Sequence, residues 1–194
     1  GVGGEAMAAE GLVSLFPLSE VAVMGPINIL KQLPRLIDRV HETVRDAVAV
    51  GPDAVVIIDS PEFTHPIAKR IRERMPDVPI IDYVSPSVWA WRPGRAKKMR
   101  SYVDHVLALL PFEPPFMTAA GMSCDFVGHP VVAEPLATAA EKAVFAGEGP
   151  LLLALPGSRN GEVQRLAPVF GAVVARLKVL HPGLRVVLPT VGGV

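Results

Sequence analysis

Six short apolar runs recur along the chain with helix-spaced segments between them, and this alternation constrains the fold more than anything else in the sequence. The runs are "AVVII" (54–58), "VPIIDYV" (78–84), "HVLALL" (105–110), "CDFV" (124–127), "LLLAL" (151–155) and "LRVVL" (184–188). Each is short enough for a buried strand and too short for a helix that buries a whole face. Residues 31–50, 62–75, 93–102, 111–120 and 161–180 carry apolar side chains at helical spacing. Strand, helix, strand repeated in this way predicts right-handed βαβ units, a parallel sheet and helices on both of its faces. The expected fold class is α/β. Residues 134–150, "EPLATAAEKAVFAGEGP", are rich in Ala, Gly and Pro and offer no strong strand. They are read as a linker between a larger domain, 1–133, and the first βαβ of a second, 151–194.

Half of the 194 residues are hydrophobic and the mean hydropathy is +0.38, which suits a parallel sheet buried on both faces or a surface that meets lipid. The 19 basic residues are matched by 19 acidic ones, so no whole-molecule field draws the chain to nucleic acid and any basic patch acts locally. The single cysteine, Cys124, excludes an internal disulfide or a multi-cysteine metal site, agrees with a reducing compartment, and is read as core filler. The greasiest stretch, 13–30, is interrupted by Ser14, Pro17, Ser19, Glu20, Pro26 and Asn28, and fails the requirement of about 18 consecutive apolar residues for a spanning helix. No secretory signal is read either. The chain opens on "GVGGEAM" and stops at "LPTVGGV" just after an apolar run, which reads as a fragment.

In open parallel sheets ligands bind beyond the carboxyl ends of the strands, so the turns there are the candidate site. After the first run comes Asp59, then Pro61 at a helix start; the carboxylate can act as a general base toward a hydroxyl, or Asp59 or Ser60 can simply cap the helix. After the second comes "SPSVWAWRPGRAKKM". Ser85 is pushed toward extended backbone by Pro86, Ser87 can cap a turn, and Trp89 and Trp91 would lie on one side of an extended loop, offering aromatic faces to a sugar or an acyl chain. Arg92, Arg95, Lys97, Lys98 and Arg100 form a basic cluster beside them, with Arg92, Arg95, Ala96 and Met99 on one helix face. A structural tryptophan cluster with a solvated basic helix, or stacking on single-stranded nucleic acid, are the competing readings. After the fourth run Gly128 allows close approach, and His129, fixed by Pro130, is a donor to phosphate or carbonyl or a structural histidine. After the fifth, Gly157, Ser158 and Arg159 precede a helix; turn N–H groups, helix dipole and guanidinium together fit an anion.

Taken in order, "YVSPSVWAWRPGRAKKM", "LLPFEPPF", "FVGHPVV" and "LALPGSR", with "VAVMGPINIL" and "IIDSPEF" upstream, resemble the lipid-A-disaccharide synthase family of inverting glycosyltransferases. The resemblance covers nearly the whole chain, and "SPSVWAW" is its most specific part. It implies a two-domain GT-B fold with Rossmann-like halves. It further implies transfer from UDP-2,3-diacylglucosamine to 2,3-diacylglucosamine 1-phosphate (lipid X) with release of UDP. Neither cofactor nor metal is implied, and the setting is the cytoplasmic face of the inner membrane, with a homodimer left open. Asp59 matches the family's catalytic carboxylate and Arg159 its arginine after Pro-Gly-Ser; Ser85, Ser87, Trp89, Trp91, Arg92, His129, Gly157 and Ser158 become substrate contacts. Where the family commonly has Asp-Phe-Asn, this chain has Glu62, Phe63 and Thr64. The family's earlier Gly-Glu-x-Ser-Gly-Asp segment and the rest of its C-terminal domain are not among these residues, so the chain alone is expected to lack turnover.

The segment "MGPINILKQLPRLI" (24–37) has too many apolar residues for one narrow stripe. Ile27, Ile29, Leu30, Leu33 and Leu36 are assigned to acyl or membrane contact, with Lys31, Arg35 and Arg39 as a basic fringe; a well-buried helix is the alternative. At the level of function, another GT-B UDP-sugar transferase or an epimerase, a non-catalytic α/β ligand-binding domain, and a nucleic-acid module remain open.

Overall fold

The computed structural model describes residues 1–21, 26–158 and 160–189, and the side chains of 26–29, 31 and 160 lie outside that description. The chain divides into two compact units, Gly1–Glu134 and Pro135–Val194.

In the first unit, helix α1 (Glu5–Ala9) and the long helix α2 (Pro26–Val50) precede three βα steps and a fourth strand: β1 (Val55–Ile58), α3 (Pro61–Arg74), β2 (Ile80–Tyr83), α4 (Gly94–Met99), β3 (His105–Ala108), α5 (Pro114–Ala119) and β4 (Ser123–Phe126). The strands form one parallel sheet in the order β1-β2-β3-β4. Each apolar run expected to be a strand is one. The reason is local: β-branched residues fill β1, and the hydrogen-bonding edge of each strand is completed by the next. Pro61 occupies the first turn of α3, where its missing N–H costs nothing, and Arg72 and Arg74 sit at the negative end of the helix dipole.

Register places Ile57, Asp82, Val106 and Cys124 side by side in one row across the sheet. That row faces the core, where Ile71, Ile80, Met99, Val106 and Met117 are fully buried. The opposite face is only partly covered, since Val56 and Ile58 are 54% and 41% exposed. The expectation of a sheet buried on both faces therefore holds for one face. Arg72 and the backbone N–H of Ile80 both donate to the Asp104 carboxylate, which pins the start of β2 to the start of β3.

The second unit contains β5 (Leu151–Leu153), α7 (Asn160–Leu180) and β6 (Arg185–Val187), with β5 and β6 parallel. The stretch read as a linker carries a short helix, α6 (Ala139–Ala143), whose Thr138 and Glu141 form a reciprocal capping box. The Arg185 guanidinium donates to the carbonyls of Phe145 and Ala146, so the end of that stretch is bonded to β6.

Candidate active site

The carboxyl edge of the four-stranded sheet is where the backbone is under most strain. Among the described residues, the non-glycine positions with positive φ are Asp59 (48°), Ser60 (46°), Val84 (81°) and Arg92 (53°). All four lie just beyond β1 or beyond β2. Left-handed backbone is tolerable for Asp but a true outlier for a β-branched residue such as Val84, and such strain gathers where a site over-determines its geometry.

Asp59 is exposed, and its N–H donates to the carbonyl of Tyr83 at 3.0 Å. The capping alternative fails, because the Ser60 side chain makes no cap hydrogen bond and the Asp59 carboxylate has no hydrogen bond or ion pair among the described residues. Instead the Thr64 hydroxyl donates to the carbonyls of Asp59 and Ser60 at 2.7 and 3.1 Å. The loop is held by its backbone, which leaves the carboxylate open to a ligand.

After β2, the expected extended loop is a tight turn: the carbonyl of Ser87 accepts from the N–H groups of Ala90 and Trp91 at 3.1 and 3.2 Å. Trp89 and Trp91 accordingly part company rather than share one side. Trp89 packs edge-on to Phe112 with centroids 5.2 Å apart, and its Nε1 donates to Glu113 at 3.4 Å. Trp91 lies under the Arg92 guanidinium, 4.2 Å from the ring centroid. Ser85 is buried, with its hydroxyl 3.4 Å from the carbonyl of Pro86, while Ser87 is exposed. Of the face expected on α4, Ala96 and Met99 turn into the core and Arg95 turns to Glu62, which it meets at 2.5 Å; Arg92 reaches the same carboxylate at 3.4 Å. Glu62 and Thr64, the two positions that depart from the family pattern, thus bind the basic loop and the Asp59 turn.

Beyond β4, Gly128 has φ 83°, and His129 Nδ1 accepts from the N–H of Val131 at 3.1 Å, capping the short 3-10 turn Pro130–Ala133. A neutral ring bonded in this way carries its proton on Nε2, which leaves that nitrogen as the donor. In the second unit, Gly157 has φ 116° and the N–H of Ser158 donates to the Glu162 carboxylate at 3.3 Å. The turn read as an anion site already holds an anion of its own chain. Arg159 lies outside the described residues.

Two groups escaped the sequence reading. Glu113 is 4% exposed between Trp89 and the N–H of Leu110, to which its carboxylate is bonded at 3.0 Å; an acid within "PFEPPF" was its only signal. His65 and Asp82, both buried, form a series with the half-buried Tyr102, the tyrosine hydroxyl 3.2 Å from His65 Nδ1 and Asp82 Oδ2 3.5 Å from His65 Nε2. At that distance the second contact falls short of a hydrogen bond, and Asp82 Oδ2 has no partner. The charge inside an otherwise apolar strand was the visible clue.

Burial pushes the Asp82 carboxyl above the ordinary range; His65 opposes the shift and the charge of Asp59 adds to it. Since the folded value is raised, this group's stabilising contribution is full below about pH 3.9, the unfolded value, and is lost as pH rises through the folded one. Asp82→Asn, neutral at every pH, is therefore expected to raise Tm at neutral pH, with the gain shrinking toward pH 4. Thermal melts across that range decide it, and a lower Tm for the variant at neutral pH would show that the His65 pairing outweighs burial. Burial likewise lifts the Cys124 thiol to about 11, with Glu113, Asp125 and Asp82 contributing, so it is unreactive near neutrality.

A model of the lipid-A-disaccharide synthetase family matches residues 1–193. The chain belongs to that family. It is 54% identical over 196 residues to the lipid-A-disaccharide synthase of Ruegeria pomeroyi, covering 98% of this chain and 49% of that protein. It is 51% identical over 195 residues to that of Nitrobacter winogradskyi, at 98% and 49% coverage. The corresponding protein of Rhodospirillum centenum is 48% identical over 200 residues, at 100% and 50% coverage. The chain spans about half the length of the curated relatives it matches. A parallel sheet flanked by helices is consistent with the Rossmann-like halves of a GT-B glycosyltransferase. Among the described residues no helix is long and apolar enough to cross a membrane.

Proposed function

We propose that the chain contributes the acceptor side, and the first turn of the nucleotide side, to a lipid-A-disaccharide synthase. The reaction transfers the diacylglucosamine of UDP-2,3-diacylglucosamine to a sugar hydroxyl of 2,3-diacylglucosamine 1-phosphate. The hydroxyl oxygen bonds to the donor's anomeric carbon with inversion, its proton passes to Asp59, and the carbon–oxygen bond to UDP breaks with the electron pair leaving on the diphosphate. The observation that carries this reading is the Asp59 carboxylate, exposed and unpaired among the described residues on a strained turn at the ligand-binding edge of the sheet. Trp89 and Phe112, packed together after β2 and β3, offer apolar surface at the same end of the sheet, 44% and 46% exposed. Ser85, Ser87, Arg92 and His129 line the same edge. Arg159, with the N–H groups of Gly157 and Ser158, serves the UDP phosphates, where a guanidinium fork meets charge that grows as the bond breaks; a phosphate there would take the place of Glu162.

The protein works at the cytoplasmic face of the inner membrane, and α2 supplies its contact. Leu30, Leu33 and Ile37 recur at helical spacing on α2 and are 72%, 42% and 45% exposed, with Leu36 half-buried beside them. The side chains of Ile27 and Ile29 lie outside the described residues. The expected basic fringe is weaker than the sequence implies, because Arg35 and Arg39 both pair with Glu20, at 2.9 and 2.7 Å, and Arg39 also with Glu42. Partial burial alone would raise the Glu20 carboxyl; hydrogen bonds from the two arginines outweigh it and hold the group below its usual range.

The test is turnover by a chimera in which residues 1–193 replace the matching half of the Ruegeria pomeroyi relative. Disaccharide phosphate and UDP are expected from the two diacylated substrates and not from unacylated UDP-N-acetylglucosamine. Equal turnover of the unacylated donor would point to a general UDP-sugar transferase, and none with either would remove the proposed reaction.

A further inference from the structure

We propose that the cleft between α3 and α4 is a binding site for a phosphate monoester. It is a cavity of about 730 Å³, within the range of small-molecule sites. Its walls are two helix faces of like charge. α3 contributes Glu62, His65 and Lys69 at spacings of three and four residues, with Arg70 next to Lys69, and α4 with its flanks contributes Arg92, Arg95, Lys98 and Tyr102 at spacings of three or four. Five permanent cations therefore meet one carboxylate. Glu62 is committed to Arg92 and Arg95, and Arg70 donates to the carbonyl of Pro66 at 3.0 Å. Lys69 and Lys98 have no anionic partner among the described residues. A solvated basic face would carry such charges outward and apart; here they converge from two elements on one concavity, where a shared anion relieves their repulsion.

The floor fits the same ligand. His65 is 7% exposed and its Nδ1 lies 3.2 Å from the Tyr102 hydroxyl. Burial above all, then the charge of Asp82, raise the Tyr102 hydroxyl against the opposing pull of Arg95. It stays protonated near neutrality, and a phenol is a donor that an oxyanion can use. The lining offers few apolar side chains to hold a base or an acyl chain, so the charge and not the remainder of the ligand is what the cleft recognises. Two phosphate monoesters are in reach of the protein proposed above: the 1-phosphate of the acceptor sugar and the headgroup of phosphatidate. Only the choice between them rests on the proposed reaction; the site itself rests on the cavity.

The experiment titrates the chain with glucosamine 1-phosphate, following the His65 and Tyr102 resonances, and separately floats it with phosphatidate or phosphatidylcholine vesicles. Binding of glucosamine 1-phosphate is expected to weaken about tenfold or more in Lys69→Ala/Lys98→Ala, since two charge-assisted contacts go. It should persist in Lys69→Arg/Lys98→Arg and in Arg74→Ala/Lys97→Ala, which removes the same charge from the same helices outside the cleft. Displacement from phosphatidate vesicles by glucosamine 1-phosphate assigns the site to the headgroup; sugar phosphate binding that leaves vesicle binding through α2 undisturbed assigns it to the acceptor. Equal loss in the Arg74/Lys97 control, or unmoved His65 and Tyr102 resonances with both ligands, overturns the site even if the alanine pair fails to fold. The readout is binding, so a chain that binds phosphate while the chimera transfers nothing keeps this site and loses the reaction; a chimera that turns over while the cleft binds nothing does the reverse.

Discussion

Asp59→Asn in the chimera is expected to lower kcat about 10²–10⁴-fold while leaving Tm where it was. The loss should be chemical because the carboxylate makes no hydrogen bond or ion pair among the described residues: it is exposed, and the turn that carries it is held by the Thr64 hydroxyl and by backbone bonds. Asparagine is the cleaner substitution, since it tolerates the left-handed backbone that Asp59 adopts at φ 48° and keeps the side-chain size, yet cannot accept the proton. Near-normal kcat in the folded Asn variant would sink the assignment.

Leu30→Ser/Leu33→Ser is expected to weaken partition onto anionic vesicles by about 10²-fold, because fully burying each leucine is worth roughly 1.5–3 kcal/mol and both insert in the proposed contact. Tm should be unchanged, since these side chains are 72% and 42% exposed, whereas Val44 on the same helix is 1% exposed and belongs to the core. The pairing of Arg35 and Arg39 with Glu20 has a corollary: partition should depend only weakly on salt, being apolar in origin. Flotation and thermal melts separate the outcomes. A large fall in Tm with unchanged partition of the folded fraction would make α2 an ordinary core helix.

The six strands were legible because a run such as "VVII" at 55–58 combines β propensity with a length that suits little else. α1 and α6 were not, being five residues each, too short for any period to show. The catalytic candidate could be located from its place after β1, but the strain at Asp59, Ser60, Val84 and Arg92 could not, since none is the glycine that normally announces a left-handed turn. The tryptophan loop misled for a related reason: alternation of Trp89 and Trp91 assumes extended backbone, and the Ser87 carbonyl closes a turn instead. Partners distant in sequence were invisible in principle. Glu62 and Arg95 stand 33 residues apart, and His65 and Tyr102 stand 37 apart; the parallel crossover alone brings each pair together.

The strand order β1-β2-β3-β4 is also the order of the chain. During synthesis β2, β3 and β4 each emerge to find the described strand beside them already made, so among these four strands none has to wait for one encoded later. Nascent α3 packs on β1 before β4 has been translated, and the exposed hydrogen-bonding edge moves forward one strand at a time. For a parallel sheet, whose long-range pairings are ordinarily slow and prone to aggregation, this topology lets elongation on the ribosome assemble these four strands one at a time, the Asp59 turn before the His129 turn.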